Sequence, residues 1–386
     1  MLASSPPRGV PHTAGDTDRP AVSMAFATDD DYPDPEAPPR TSLDPLETSG
    51  NDIPADVRAI PPEAFATPPD RLPEQPTLAE SFRHSGWQAT RRHVYNALQA
   101  TGMPKSRIND FALCGKHALV MQDTADPSNV RLVATTCKDR FCKPCGSTRS
   151  RIIAANVAER IDPKTTRFVT LTLRSGSEPL AQLLEKLYAS FKKLRRSPCW
   201  RRTQQGGVSF LEIKYNHEAN RWHPHLHVLT QGSFISHDEL RKEWKAITID
   251  SFIVDVRAID RVENAVRYVT KYASKPFDPS LFRNESQLEE AILALRSRRT
   301  VLTFGNWKGL QTTEPPSLES WKTLGTLADL FQLALAHDEA TIKILRALLG
   351  YAYDQLYELA TQTLEPFTPP PEEPPTVAQL RLCLTA

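Results

Sequence analysis

The spacing of apolar residues predicts alternating strands and helices over most of the chain. Apolar residues at every second position predict strands, and apolar residues three and four apart predict amphipathic helices. The predicted strands are 130–135, 168–173, 208–215, 225–229 and 252–258, and the predicted helices are 78–103, 147–160, 179–196, 240–247 and 262–275. Residues 324–364 predict two further amphipathic helices.

The two ends of the chain differ from its centre in charge. Residues 1–80 hold 5 Lys+Arg against 15 Asp+Glu, residues 81–310 hold 38 against 21, and residues 311–386 hold 4 against 10. The net charge of +1 therefore hides a basic centre of +17, which predicts nucleic acid as its partner. The first 80 residues are rich in proline and follow no apolar period, so we expect them to be disordered.

The chain shows no sign of export or membrane insertion. No basic-then-apolar signal segment begins it, and charged residues interrupt every long apolar run. We therefore expect a cytoplasmic protein without membrane spans.

The strand around residue 226 carries histidines at alternate positions, namely His223, His225 and His227. Because side chains alternate across a strand, these three point to one face, while Leu226 and Val228 point to the other, into a core. Two imidazoles two residues apart on one face can hold a single divalent ion. The alternative is a strand that carries histidines near a surface, but an apolar strand has no structural use for three on one face. The pattern favours a metal site.

The strand before it supplies a carboxylate. An antiparallel hairpin that turns at 216–221 brings Glu212 beside His225 and His227. One carboxylate and two imidazoles form a three-ligand site with open positions, suited to Mg²⁺ or Mn²⁺ that holds a phosphate. His223 is the alternative third ligand.

Three of the six cysteines fall within nine residues, as Cys137, Cys142 and Cys145. With Cys114 as the fourth thiolate they predict a closed, tetrahedral site for one structural Zn²⁺. His117 is the alternative fourth ligand. Six cysteines in 386 residues do not make a disulfide scaffold.

Basic residues accompany two of these elements. Those around the cysteines predict a surface that faces phosphates; they include Arg140, Lys143 and Arg149. A second basic run ends the helix at 179–196 and consists of Lys192, Lys193, Arg195 and Arg196. For this second run, a solvated helix face is an equal alternative to DNA binding.

Two tyrosines lie four residues apart in the predicted helix 262–275. Tyr268 and Tyr272 share one helix face at about 6 Å, and Lys271 and Lys275 form a second pair beside them. Aromatic residues at this spacing are commonly core residues, but the two flanking lysines are not explained that way. A phenol with a pKa near ~10 needs its charge stabilised as a nucleophile, and lysines and a metal supply that.

Three segments resemble, in order, the motifs of the rolling-circle replication initiators, which are HUH endonucleases. They are FVTLT at 168–172, WHPHLHVL at 222–229 and YVTKYASK at 268–275. The cysteine cluster ahead of them is similar to that of the bacterial plasmid replication proteins in this family. The resemblance implies an α+β fold, in which a central antiparallel sheet flanked by helices carries the histidines and a packed helix carries the tyrosines.

The resemblance also implies a reaction. A metal held by His225 and His227 polarises a phosphate of single-stranded DNA at an origin hairpin, and a tyrosine oxygen attacks it. The products are a 5′-phosphotyrosine and a free 3′-OH that primes a host polymerase. Tyr272 matches the family's nucleophile, whereas Tyr268 stands where many plasmid members have glutamate. The pair resembles the two-tyrosine phage initiators, in which a second phenol favours transesterification over hydrolysis.

The same features define the expected regions and two competing functions. We expect an acidic tail at 1–80, a helical zinc-binding region at 81–160, the HUH endonuclease domain at 161–310 and a helical C-terminal region with a proline-rich tail at 311–386. A two-tyrosine transposase shares the tyrosine pair and the cysteines. A non-catalytic, zinc-stabilised nucleic-acid-binding protein leaves the histidines and tyrosines unused. Helicase activity is expected from the host, because the chain has no ATP-binding signature. The oligomeric state is left open.

Overall fold

The computed structural model describes residues 69–174, 176–259, 261–274, 281–282, 284–310 and 321–365, with the backbone alone for 270–274. Most of the tail expected to be disordered, and the proline-rich C-terminal tail, therefore lie outside the described residues. Lys275 lies outside them as well, and so do the side chains of Lys271 and Tyr272.

The helices and strands follow one another in an α+β order. The first half contains α1 (Leu78–Arg83), α2 (Gln88–Ala100), α3 (Lys105–Leu113), β1 (Ala118–Asp123), β2 (Val130–Ala134), α4 (Lys143–Ala158), β3 (Thr166–Thr172), α5 (Leu180–Leu194) and α6 (Pro198–Thr203). The second half contains β4 (Gln204–Asn216), β5 (Arg221–Gly232), α7 (His237–Thr248), β6 (Val254–Ala258), α8 (Val262–Ser274), α9 (Glu285–Ala294), β7 (Val301–Gly305), β8 (Trp321–Thr326), α10 (Leu327–Leu335), α11 (Glu339–Leu349) and α12 (Ala352–Thr363).

Five strands form the main sheet, in the order β6-β3-β5-β4-β7. Each neighbouring pair is antiparallel. Helices cover both faces of this sheet, as the two cores below show. The predicted α+β class, with an antiparallel sheet flanked by helices, is confirmed.

The two faces of the main sheet bury different cores. On one face Leu171, Leu226 and Val228 are fully buried and pack with the leucines of α5. Those leucines recur three and four residues apart, so they form one stripe along the helix: Leu180, Leu183, Leu184, Leu187 and Leu194. The opposite face, which carries the histidines, packs against α4 and α8 through a second core that contains Phe210 and Val269.

A smaller sheet and the C-terminal helices form a separate core. The strand order is β2-β1-β8, and the core joins these strands to α1, α10, α11 and α12. The C-terminal helices therefore pack with elements from before residue 135. Residues 324–364 form three helices rather than the two predicted, because α11 ends at Gly350 with a φ of +51°.

The predicted helix 78–103 is likewise divided, into α1 and α2. Gly86 in the connection has a φ of +68°, a left-handed conformation that a continuing helix excludes. The residues expected to be buried in this segment, Trp87, Val94 and Leu98, are buried.

A buried ion pair fixes these N-terminal helices around the cysteine cluster. Arg91 of α2 contacts Glu80 of α1 at 3.1 Å, and both side chains are at most 3% exposed. The Arg91 guanidinium also donates to the carbonyl oxygens of Phe111, Ala112 and Cys114, at 2.9–3.3 Å. These carbonyls lie at and just beyond the end of α3, where the regular i→i−4 hydrogen bonds of the helix end.

We predict that Arg91→Met strongly destabilises the fold. The substitution leaves the Glu80 carboxylate buried without its partner, which costs about 3–5 kcal/mol of unfolding free energy. Urea denaturation followed by circular dichroism measures this loss. The neighbouring, exposed Arg92 provides the control, and Arg92→Met is expected to change the value by less than about 0.5 kcal/mol. Equal stability of the two variants would contradict the prediction.

Candidate active site and metal sites

Strand pairing brings the polar side chains of the main sheet together. In the pairing of β4 with β5, Glu212 lies opposite His225. In the pairing of β3 with β5, Thr170 lies opposite His227 and Thr172 opposite His225. Directly opposed side chains of an antiparallel pair share a face, so carboxylate, imidazoles and hydroxyls all lie on the face that α8 covers.

The Glu212 carboxylate contacts both histidines. Its Oε2 lies 3.0 Å from Nε2 of His227 and 3.8 Å from Nδ1 of His225. Burial raises the pKa of Glu212, but the hydrogen bond and the charge of His227, with Lys214 and His225, outweigh burial and lower it. Glu212 is therefore an anionic acceptor between the two imidazoles.

His225 is a buried, neutral imidazole, and one of its two ring nitrogens lacks a hydrogen-bond partner. Burial, followed by the neighbouring His223, lowers its pKa to about 3. Its Nδ1 is buried and makes no hydrogen bond to any described residue. A buried polar atom without a partner requires an explanation, and an unprotonated nitrogen 3.8 Å from a carboxylate fits a divalent cation.

His223, the alternative third ligand, has different neighbours. Its ring lies 4.2 Å from the ring of His225, centroid to centroid, in an edge-on arrangement. Burial lowers the pKa of His223, and an interaction of its ring with the backbone of Leu173 opposes part of that shift. Of the two candidates, Glu212 is the one whose side chain contacts both His225 and His227.

Tyr268 of α8 enters this site from above the sheet. Its Oη lies 2.8 Å from Nδ1 of His227 and 3.5 Å from Oγ1 of Thr170. The ring packs on Phe168 at 4.0 Å between centroids. Ala265 and Val269 of the same helix are fully buried and hold this face of α8 on the sheet. The backbone of Tyr272 lies in the last turn of α8.

Thr170 is a site residue that the sequence interpretation missed. The pattern of β3 contained the necessary information, because Thr170 and Thr172 alternate with the buried Val169 and Leu171. Polar residues on one face of an otherwise apolar strand indicate a polar site on that face.

The four predicted zinc ligands converge. Among the described residues, Cys114, Cys137, Cys142 and Cys145 are the one group of potential ligands whose atoms all lie within 4.8 Å of one another. The closest sulfur pairs are 3.5, 3.6 and 3.8 Å apart. Tetrahedral coordination with Zn–S bonds of about 2.3 Å requires sulfurs about 3.8 Å apart, so the cluster fits zinc. His117 is exposed and does not belong to the cluster.

The cysteine cluster also fixes the start of α4. Cys142 is the N-cap residue of this helix and Cys145 lies in its first turn, so α4 begins four residues before the predicted start at 147. Arg83 of α1 donates to Sγ of Cys145 at 3.3 Å. Further along α4, Ile153 and Val157 pack in the same core as α8. The cluster therefore supports the helix on which the tyrosine helix rests.

Comparison with known proteins places the chain in a family. Residues 130–340 match the model of a family described as replication protein, which is more than half of the chain. The chain belongs to this family. The resemblance inferred from the three motifs is thereby confirmed.

Relatives from three bacteria carry the same printed name, "Protein rep". The identity is 26% for Streptococcus pneumoniae serotype 2, 28% for Staphylococcus aureus and 28% for Bacillus amyloliquefaciens. The matches cover 36%, 40% and 46% of this chain, and 51%, 75% and 56% of the respective relatives. The chain thus spans about half the length of the first relative. No solved structure matches the chain.

The basic residues proposed to contact DNA fall into two groups. Lys143, Lys192, Lys193 and Arg196 are exposed, whereas Arg140, Arg149 and Arg195 are half-buried. Arg140 donates to the carbonyl oxygen of Arg298 at 2.8 Å. The Arg195 guanidinium lies over the rings of Phe191 and Phe304, at 4.9 and 5.2 Å. Arg140 and Arg195 therefore take part in packing, whereas the other group is exposed to solvent.

Within the described part of the chain, no helix has both the length and the apolar character of a membrane span.

We predict that the cysteine cluster holds one zinc ion per chain. Cys145→Ser removes a thiolate ligand and should release about one equivalent of zinc and lower the melting temperature, because metal binding here contributes folding energy. Metal analysis by mass spectrometry and a thermal melt measure both effects. Cys199, which is buried but lies outside the cluster, provides the control: Cys199→Ser should retain the zinc. Wild-type protein without zinc would refute the site.

Proposed function

We propose that this chain initiates rolling-circle replication by nicking single-stranded DNA at a plasmid origin. The contact between Oη of Tyr268 and Nδ1 of His227, at 2.8 Å, carries the proposal, because it joins a potential nucleophile to a potential metal ligand. Membership in the replication protein family supports it. The family match also favours an initiator over a two-tyrosine transposase. A non-catalytic DNA-binding protein would leave this contact and the Glu212 contacts unexplained.

In this proposal His225, His227 and Glu212 hold Mg²⁺ or Mn²⁺. Oxygen and imidazole ligands suit these ions, and the buried Nδ1 of His225 gains the partner that it lacks. When bound, the ion would polarise the scissile phosphate and offset its negative charge. His223 is then left to pack against His225 and Leu173.

His227 links the metal ligands to the tyrosine. When Nε2 serves as a ligand, the neutral ring carries its proton on Nδ1, and this N–H donates a hydrogen bond to the oxygen of Tyr268. This hydrogen bond favours the phenolate form, which is the nucleophilic form. Thr170, at 3.5 Å from the same oxygen, helps to orient it. Lys271 and Lys275 are expected to add positive charge, although their side chains are not among those described.

The chemical step exchanges one phosphodiester bond for another. A tyrosine oxygen forms a bond to phosphorus while the bond to the 3′-oxygen breaks, and the 3′-oxygen takes up a proton to become a free 3′-OH. The 5′ end remains on the enzyme as a phosphotyrosine. By family position Tyr272 makes the first cut, and Tyr268 then performs the second transesterification from one helical turn away. A host helicase and a host polymerase would extend the primer.

We predict that His225→Ala abolishes nicking but not DNA binding. The substitution removes a ligand, so cleavage of a supercoiled origin plasmid in Mg²⁺ or Mn²⁺ should fall at least about 100-fold. Affinity for single-stranded DNA depends on the basic surface and should stay unchanged in an anisotropy titration. His217, exposed in the turn between β4 and β5, is the matched control, and His217→Ala should nick normally. Equal nicking by wild-type protein in EDTA and in Mg²⁺ would rule out the metal-dependent mechanism.

We predict different defects for the two tyrosines. Tyr272→Phe should abolish or greatly slow the first nick, because it removes the first nucleophile. Tyr268→Phe should form the covalent adduct but fail to transfer the strand to a second site. Denaturing gels with labelled origin oligonucleotides, followed by peptide mapping of the adduct, distinguish these outcomes. An adduct on Tyr268 alone would reverse the order, and normal transfer by both variants would eliminate the separate roles.

A further inference from the structure

The loop between α7 and β6, residues 249–253, exposes apolar side chains at the end of the main sheet. Ile249 is 84% exposed, Ile253 55% and Phe252 45%. Among the described residues six large hydrophobic side chains are exposed to this degree, and three of them fall within these five residues. Exposed apolar residues that cluster in this way indicate a binding surface, whereas scattered ones do not.

The loop lies beside the candidate active site. Its Ile253 accepts a hydrogen bond from the backbone N–H of Thr172, at 3.3 Å, and its Ser251 accepts one from the N–H of Arg174, at 2.9 Å. Thr172 in turn lies directly opposite His225. Continuing the pairing of β3 with β6 places Ile253 opposite Thr172, so its side chain lies on the face of the sheet that carries His225.

The backbone of the loop is strained at its most exposed residue. Ile249 has a φ of +75°, and its N–H ends α7 by donating to the carbonyl oxygen of Lys245 at 2.7 Å. Glycine or asparagine is usual where a helix ends in this way, and a β-branched residue there is an outlier. Burial does not compensate for this strain, since the side chain is exposed. Strain of this kind is found at functional sites.

The charges around the loop are predominantly basic. The Arg241 guanidinium lies 5.3 Å over the ring of Phe252, and Lys245 follows one helical turn later on the same face. Both side chains are exposed, as is that of Arg174. The carboxylate within the loop, Asp250, is already paired with Lys186 at 3.1 Å. An anionic partner is therefore favoured.

We infer that residues 249–253 are a stacking platform for the bases of single-stranded DNA that flanks the scissile phosphate. Phe252 and the two isoleucines would contact base faces, and Arg174, Arg241 and Lys245 would contact phosphates. Aromatic stacking combined with basic side chains is how proteins hold unpaired strands without regard to sequence. This inference rests on the proposed function for the identity of the strand.

Anisotropy titration of the full-length protein with a labelled thymidine oligonucleotide tests the platform directly. Phe252→Ala should raise the Kd at least about fivefold, and Phe252→Trp should restore the affinity. The matched control is Phe234→Ala, because Phe234 is 73% exposed but precedes α7, at the opposite end of that helix from the loop. Arg241→Gln should reduce the salt dependence of binding, whereas Phe252→Ala should leave the salt dependence unchanged.

Either of two binding results would overturn the platform. One is a Kd for Phe252→Ala equal to that of Phe234→Ala. The other is unchanged DNA binding together with an altered oligomeric state on size-exclusion chromatography, which would assign the loop to a protein interface. Nicking is scored separately. If DNA binding depends on the loop but wild-type protein does not nick, the platform stands and the endonuclease proposal fails. If wild-type protein nicks and the loop variants change neither the rate nor KM, the endonuclease proposal stands and the platform fails.

Discussion

A shift of one residue between β4 and β5 would turn Glu212 away from His225, because neighbouring side chains of a strand point to opposite faces. The apolar residues on the other face prevent this shift. Leu226 and Val228 are fully buried beneath α5. A strand shifted by one residue would turn these two side chains to the polar face and turn the histidines into the apolar core. Burial on one side of the sheet therefore positions the candidate metal ligands on the other side, and the proposed chemistry depends on that positioning.

A second chain of contacts positions the tyrosine helix. The cysteine cluster fixes the first turn of α4, and α4 shares a core with α8 and the histidine face of the sheet. Around the cluster, Arg83 contacts the Cys145 sulfur and Arg91 binds the Cys114 carbonyl. A zinc ion held there would add its binding energy to the folding of the region. Zinc would thus act on the candidate active site through helix packing, at a distance from the phosphate.

In the proposed function, two kinds of surface would share DNA binding. Exposed lysines at the start of α4 and the end of α5 would contact phosphates at any sequence, and the loop at 249–253 would add apolar contacts near the histidines. Arg140 and Arg195 would contribute less than their charge suggests, because a backbone carbonyl and two aromatic rings occupy their guanidinium groups. The small core of the C-terminal helices lies on different elements from the main sheet, so changes in that core need not alter the site.

The amino-acid sequence by itself determined the features that depend on local spacing. Alternation placed the three histidines on one face, the short turn paired Glu212 with His225, and the spacing of the cysteines indicated zinc. These follow from the periods of strands and turns, which extend over few residues. Only the tertiary structure decided the contacts between distant segments. The docking of α8 brings Tyr268 to His227 across 41 residues, β8 pairs with β1 across about two hundred, and Arg91 spans three helices. Which distant segments come into contact is decided by the packing of complete cores, and this packing produces no periodic pattern in the sequence.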